Sequence, residues 1–276
     1  MNKIVNFLSI DLEDYYCDLP FSKWEFYEER VTNNTKKILS LLKKYNTKAT
    51  FFTLGYIGEK FPDLIQQIVR DGHEIGSHTY SHIDLRKNSK EKVTEDIKKS
   101  VKILEDISGK EILGFRAPFF SINKDSFWVF ELLEKLFLYD SSIFPVRTPL
   151  YGIPNAPREI YKISSNNPII NNEKGKLIEI PAATHNIPIL GNIPIAGGFH
   201  LRFLPYFFIK YGIKNNLKNN NPVMIYLHPK DIDVEMPKIE DYGWHYYYNL
   251  KTGYSKFENL LKDFKFSSAE DILKIS

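Results

Sequence analysis

What the chain lacks narrows it first. Its 276 residues hold one cysteine, Cys17, so no internal disulfide can form; nothing marks an oxidising compartment, and cytoplasm is the expected location. A lone thiol with no histidine near it in sequence reads as a small buried hydrophobe rather than a nucleophile. No apolar stretch approaches the roughly 20 residues that a membrane span needs. The opening run from Met1 to Ile10 ends in Asp11, Glu13 and Asp14 without a small-residue cleavage site, so it reads as a buried strand and not as a secretory signal. Excess charge is scarce as well. With a net charge of +3 and lysines scattered along predicted helices, nucleic acid is not an expected partner. There is no internal repeat and no linker. At 43% hydrophobic and 26% charged residues, one domain spanning 1–276 is expected, its oligomeric state left open.

What is present is an alternation of apolar runs and amphipathic stretches. Residues 4–10 form an apolar run bounded by acids, as a strand buried on both faces should. Thr35 to Tyr45 places Ile38, Leu39, Leu41 and Leu42 on one helical stripe, and Ala49 to Leu54 follows as a strand closed by Gly55. A helix over Pro62 to Asp71 stops at Gly72 and leads into a strand before His78. Ser89 caps a long helix that Gly109 ends; Ile112 to Phe115 is a further strand, then a helix over Lys124 to Leu136 and a strand reaching Tyr139 and Asp140. Over residues 145–200 the pattern loosens into Pro, Asn and Gly, with a short strand at Gly175 to Pro181 or a small hairpin. Phe199 to Tyr211 is strongly aromatic, Pro222 to Leu227 is a last buried strand, and Tyr254 to Ile275 reads as a helix followed by a strand or short helix. Strand and helix alternating at this spacing predict an α/β fold with a parallel sheet, closed as a barrel or wound open.

The chemistry gathers at the ends of these strands. His78 and His82 stand four residues apart, and on a helical turn that spacing puts both rings on one face, able to grip one divalent metal. Such pairs also arise by chance, so the setting decides. Asp11, Glu13 and Asp14 follow the first strand, the two histidines a later one, Arg116 another and His228 the last. In a parallel barrel all those ends lie on one face. Two histidines and one carboxylate around a divalent ion leave a position open for water, the arrangement of catalytic sites. His73 precedes its strand instead of following it and reads as structural.

Ser9 to Asp14, Gly76 to His82, Phe115 to Phe119 and Tyr226 to Pro229 resemble, in order and spacing, the successive motifs of polysaccharide deacetylases of the NodB homology type, carbohydrate esterase family 4. The resemblance spans residues 4–235. The first motif departs from the family's Thr-Phe-Asp-Asp: Leu12 follows Asp11, and the further acids are Glu13 and Asp14, a form similar to the branch holding peptidoglycan deacetylases, allantoinases and deacetylases of surface-polysaccharide clusters.

The resemblance implies a distorted parallel (β/α) barrel and metal-assisted removal of an N-acetyl group from a sugar. It makes Asp11 the base and leaves Glu13 or Asp14 to bind the metal with His78 and His82; alternation fails at a strand end, and Asp14 is preferred, with Glu13 in the catalytic group. The metal is expected to be Zn2+, with Co2+, Ni2+ or Fe2+ open. Arg116 would pin the base, His228 would protonate the leaving amine, Asp140 would orient His228, and a backbone N–H near Phe119 or Phe120 would hold the oxyanion. For the sugar, Phe119, Trp244 and the Phe199 to Phe203 segment offer flat apolar faces, and Gly197 and Gly198 permit close backbone approach. The expected product belongs to surface polysaccharide biosynthesis. The alternatives are a ureide or other small cyclic amide as substrate, or, less favoured, an inactive carbohydrate-binding protein.

Overall fold

The structure, a computed structural model, describes residues 4–163 and 167–275. Met1 to Lys3 of the opening run and residues 164–166 of the loosened segment lie outside them. Asn6–Leu12 forms β1, and all seven of its residues are buried, as befits a strand flanked on both edges and covered on both faces. From it the sheet runs in parallel through β2 (Thr50–Thr53), β3 (Glu74–Ser77), β4 (Gly114–Phe115) and β5 (Tyr139–Asp140). The helices between them are α1 (Val31–Lys44), α2 (Gly55–Lys60), α3 (Pro62–Arg70), α4 (Lys90–Ser108) and α5 (Phe130–Leu136).

Beyond β5, β6 (Tyr161–Ile163) lies antiparallel to β7 (Leu177–Glu179), which runs parallel beside β5. The loosened stretch thus holds strands, and β8 (Thr184–Ile187) with β9 (Gly191–Pro194) makes a separate hairpin. The aromatic segment folds as α6 (Gly198–Phe203) and α7 (Tyr206–Lys218), parted at Pro205. β10 (Met224–Leu227) then pairs with β1 on its other edge. The tail adds α8 (Trp244–Tyr247), α9 (Leu250–Asp263), β11 (Phe266–Ser267) and α10 (Ala269–Leu273). Ala182, just past β7, bridges in parallel to Met224 of β10. That contact curls the sheet round on itself into the expected distorted (β/α) barrel.

Register places the site. Leu12, Thr53, Ser77, Phe115, Asp140 and Glu179 are successive partners across the sheet, so the residues after them emerge in one layer. On the other edge Ile10 partners Leu227, which sets Asp11 level with His228.

Two boundaries differ from the sequence reading for identifiable reasons. α1 begins at Val31 instead of Thr35, because its start is capped from a distance: Asp14 accepts hydrogen bonds from the backbone N–H of Arg30 (2.8 Å) and Val31 (2.9 Å). Gly55 opens α2 as well as closing a strand. A Cβ there would lie 2.9 Å from Ser100 Cα, so glycine is what lets α2 and α4 cross so closely.

Candidate metal centre and active site

His78 follows β3 directly, and the chain from there to His82 is an irregular turn, not the helical turn that the spacing suggested. Thr79 (φ 67°) and His82 (φ 54°) occupy the left-handed region, which costs non-glycine residues energy and persists only where neighbours enforce it. The neighbours are visible. Asp96 of α4 accepts from Tyr80 N–H (2.6 Å) and Ser81 Oγ (2.5 Å), and the first amides of α2, Gly55 and Tyr56, donate to Thr79 O and Tyr80 O. The turn's carbonyls are therefore spent outside it, and the imidazoles come together with ring centroids 5.3 Å apart.

Both rings have a fixed tautomer. His78 Nδ1 lies 2.8 Å from Arg116 O and His82 Nδ1 2.9 Å from Cys17 O; carbonyls only accept, so each Nδ1 carries a hydrogen and, in the neutral ring, each Nε2 presents a lone pair. Those lone pairs face Glu13 Oε2, 2.7 Å from His82 Nε2 and 3.8 Å from His78 Nε2. Glu13 Oε2 is buried with no hydrogen-bond donor. Three such atoms converging on one buried point suit a cation, and the ligand types are those of a catalytic divalent metal site. Burial would lower the His82 pKa, but Glu13 beside it outweighs burial and raises it, while burial holds His78 down to about 4 despite Asp11. Burial would raise Glu13, and His82 and Lys230 overcome it and hold the carboxylate well below its ordinary range.

Asp14, the preferred carboxylate ligand on sequence grounds, is elsewhere. Oδ1 accepts from Tyr15 N–H (2.8 Å), and Oδ2 takes the two amides that start α1. The donor cluster comprises Glu13, His78 and His82, because β1 ends at Leu12 and the chain turns, so that Glu13 and not Asp14 is directed between the rings.

Beside the cluster stands Asp11, held by a fully buried Arg116. The guanidinium donates from Nη1 to Asp11 Oδ1 (2.6 Å) and Ser9 Oγ (2.7 Å), from Nε to Ser141 O (2.9 Å) and from Nη2 to Ser141 Oγ (2.7 Å). Its carbon lies 4.4 Å from the Phe52 ring centroid and 5.1 Å from that of Tyr226, so it is clamped by stacking too. Asp11 Oδ2 is left facing His228 Nε2 at 3.8 Å. His228 Nδ1 bonds to Asp231 Oδ2 at 2.8 Å, and Arg202 Nε holds Asp231 Oδ1 at 3.0 Å. Burial would lower His228; Asp231 outweighs it and raises the pKa, which keeps a proton available on the ring.

The residue that orients His228 is thus Asp231, not Asp140. Asp140 accepts from Ser142 Oγ (2.6 Å) and lies beside Glu179, under the Arg116 layer. Gly198 is needed for close approach, but to this chain's own machinery: a Cβ would sit 1.6 Å from Asp231 Oδ2. Phe119, at φ 57°, lays its ring 4.4 Å from that of His82 and stays partly exposed. The Phe120 N–H is spent on Ala117 O, which leaves the Phe119 N–H without an acceptor among the described residues. Trp244 lies farther out, 64% exposed, with its ring 6.0 Å from Phe199 and 5.5 Å from Tyr248. Sequence reasoning missed Asp231, Arg202, Lys230 and Asp18; only Asp231, three residues after His228 on a turn, had a local signal.

This arrangement can be set against known proteins. The polysaccharide deacetylase family matches residues 22–135. Over that stretch the chain is similar to the polysaccharide deacetylase family. Residues 141–274 match a domain of unknown function, DUF3473, so His78, His82 and Arg116 fall in one match, His228 in the other, and Asp11 and Glu13 before both. A peptidoglycan-N-acetylglucosamine deacetylase of Bacillus cereus (strain ATCC 14579) is 44% identical over 85 residues, 31% of this chain and 31% of that protein. A peptidoglycan deacetylase of Helicobacter pylori (strain ATCC 700392 / 26695) is 32% identical over 152 residues, 53% of this chain and 51% of that protein. The matches thus span between about a third and a half of those relatives' lengths. Among solved structures, a putative polysaccharide deacetylase from Mycobacterium smegmatis superposes with a TM-score of 0.62 at 16% identity, covering 100% of this chain and 94% of that one. The deacetylase-type barrel is therefore shared across the whole chain.

Proposed function

We propose that the protein is a metal-dependent N-deacetylase of an N-acetylated sugar. The observation that carries this reading is Glu13 Oε2, buried without a donor between two Nε2 lone pairs and flanked by an ionic pair on either side: Arg116–Asp11 and Asp231–His228. Glu13, His78 and His82 would hold a divalent cation, which supplies Lewis acidity to the amide carbonyl and to water. Zn2+ suits two imidazoles and a carboxylate, and Co2+, Ni2+ or Fe2+ suit them too.

The chain's own groups supply the rest. Asp11, kept ionised and aimed by Arg116, takes a proton from the attacking water. The free Phe119 N–H is the donor for the oxyanion. His228, whose proton Asp231 retains, gives it to the departing nitrogen as the C–N bond breaks, so that water and amide become acetate and amine. The relatives named for peptidoglycan N-acetylglucosamine support an N-acetylhexosamine as the sugar. We extend the reading to a precursor of a surface polysaccharide handled in the cytoplasm, which the single cysteine supports. No described helix is long and apolar enough to cross a membrane.

Acetate release from N-acetylhexosamine oligomers and nucleotide-linked N-acetyl sugars, measured with and without chelator, tests the proposal. Release that chelator abolishes and that His78→Ala lacks is the expected result. No release from metal-replete protein on any of them would overturn it.

A further inference from the structure

The 3-10 turn Pro229–Ile232 carries two charged residues to the site, side by side. Asp231 serves His228; its neighbour Lys230 reaches the other group. Lys230 Nζ donates to Glu13 Oε1 at 2.7 Å and to Asp18 Oδ2 at 2.9 Å, with its side chain 11% exposed. Tyr246 lays its ring 5.7 Å from the ammonium. The other oxygen of Asp18 lies 3.6 Å from His82 Nδ1, so Lys230 is anchored among groups that already surround the cation site. Glu13 Oε1 has one further neighbour, His228 Nε2 at 3.8 Å. The two oxygens of one carboxylate are therefore assigned differently: Oε2 faces the histidines and Oε1 is occupied by lysine.

We infer that Lys230 is a positioning residue that confines Glu13 to one-oxygen ligation of the cation, keeping a coordination position free for water and substrate. This rests on the metal-dependent reading above. A free carboxylate can bind a divalent ion through one oxygen or two, and the second contact would fill a position that hydrolysis requires. An ammonium fixed on Oε1 prevents that rotation. It also sets a positive charge on the carboxylate that would hold the ion, in a buried setting where like charges repel strongly. The lysine thus lowers affinity for the cation in exchange for an open site. Outer-sphere partners usually raise metal affinity, so the expected sign is distinctive.

The test is made on the full chain with Co2+ and Zn2+, by competition with a chelating indicator, the Co2+ absorption spectrum and steady-state kinetics. Lys230→Met should bind the ion about tenfold more tightly or better, shift the Co2+ spectrum toward higher coordination number, and lower kcat with little change in KM. Lys230→Gln retains a neutral donor for Oε1; it should also bind more tightly but lose less kcat. Lys230→Arg should stay near wild type in both respects. Equal or weaker cation binding in Lys230→Met and Lys230→Gln would overturn the inference, and so would tighter binding with an unchanged Co2+ spectrum, because lost repulsion alone tightens binding without changing the coordination number. Wild-type protein that binds neither ion would instead overturn the metal reading itself, a result separable from any behaviour of the variants.

Discussion

Glu13 and Asp14 are adjacent acids with unrelated work, and the difference is decided by where a strand stops. Within β1 alternation assigns faces; after Leu12 it assigns nothing, and from sequence the two acids cannot be separated. The structure separates them by their partners: Glu13 faces two lone pairs, while Asp14 faces three backbone N–H groups. Asp14→Ala should therefore cost about 1–2 kcal/mol of folding stability, the range of a lost helix cap, and leave cation affinity unchanged. Glu13→Gln should do the reverse, abolishing cation binding with little loss of stability. Denaturant titration and metal titration of the two variants check this, and weaker cation binding in Asp14→Ala would contradict the assignment. The same contrast shows what the sequence made legible. Asp11, His78, His82, Arg116 and His228 stand next to strand ends, and a strand end is a local signal. Arg202 and Lys230 act on carboxylates 29 and 217 residues away, and no local pattern encodes such partners.

At the scale of elements, the two ends of the sheet do different things. The C-terminal edge carries charge in unsatisfied or strained settings. The opposite edge is closed, and His73, just before β3, is one of its fastenings: Nδ1 accepts from Ala49 N–H at 3.3 Å across the start of β2, and the ring packs 5.4 Å from Phe51. Burial, helped by Lys48, lowers its pKa from 6.5 to about 4. The folded form is therefore the neutral one, and the unfolded chain binds the proton first as pH falls. This stabilisation is present in full above pH 6.5 and is lost as pH drops from there toward 4, by up to about 3 kcal/mol at about 1.4 kcal/mol per unit. Unfolding free energies measured over that window should fall for the wild type and fall less steeply for His73→Asn; an unchanged slope would remove His73 as the cause. Elements were legible where their stripes and caps were local, as in α4 between Ser89 and Gly109. They were illegible where a cap came from outside, as in α1, or where aromatic content masked helical spacing, as in α6 and α7.

At the scale of the molecule, closing the barrel gathers aromatic rings from distant segments into a continuous line from the site to the surface. Tyr226 touches His228 (centroids 5.6 Å apart) and Phe120 (5.2 Å); Phe120 touches Phe144 (5.1 Å), Phe144 touches His200 (6.3 Å), His200 touches Phe199 (5.5 Å), and Phe199 touches Trp244. The inner members are buried and clamp Arg116, which makes them part of the support for Asp11. The outer end is different: Trp244, Phe203 and Tyr248 keep large faces open to solvent. Flat apolar faces with polar edges suit the face of a sugar ring, and at the exposed end of this line of rings they would meet a neighbouring unit of a longer glycan. Trp244→Ala should therefore raise KM for N-acetylated oligosaccharides by about fivefold, the equivalent of a ring contact worth roughly 1 kcal/mol, while leaving kcat and the kinetics of a single N-acetylated sugar unchanged. Equal losses on the monosaccharide and the oligomer would show that the ring acts through the fold and not through the glycan, and would confine the binding surface to Phe119 and the immediate surroundings of the cation site.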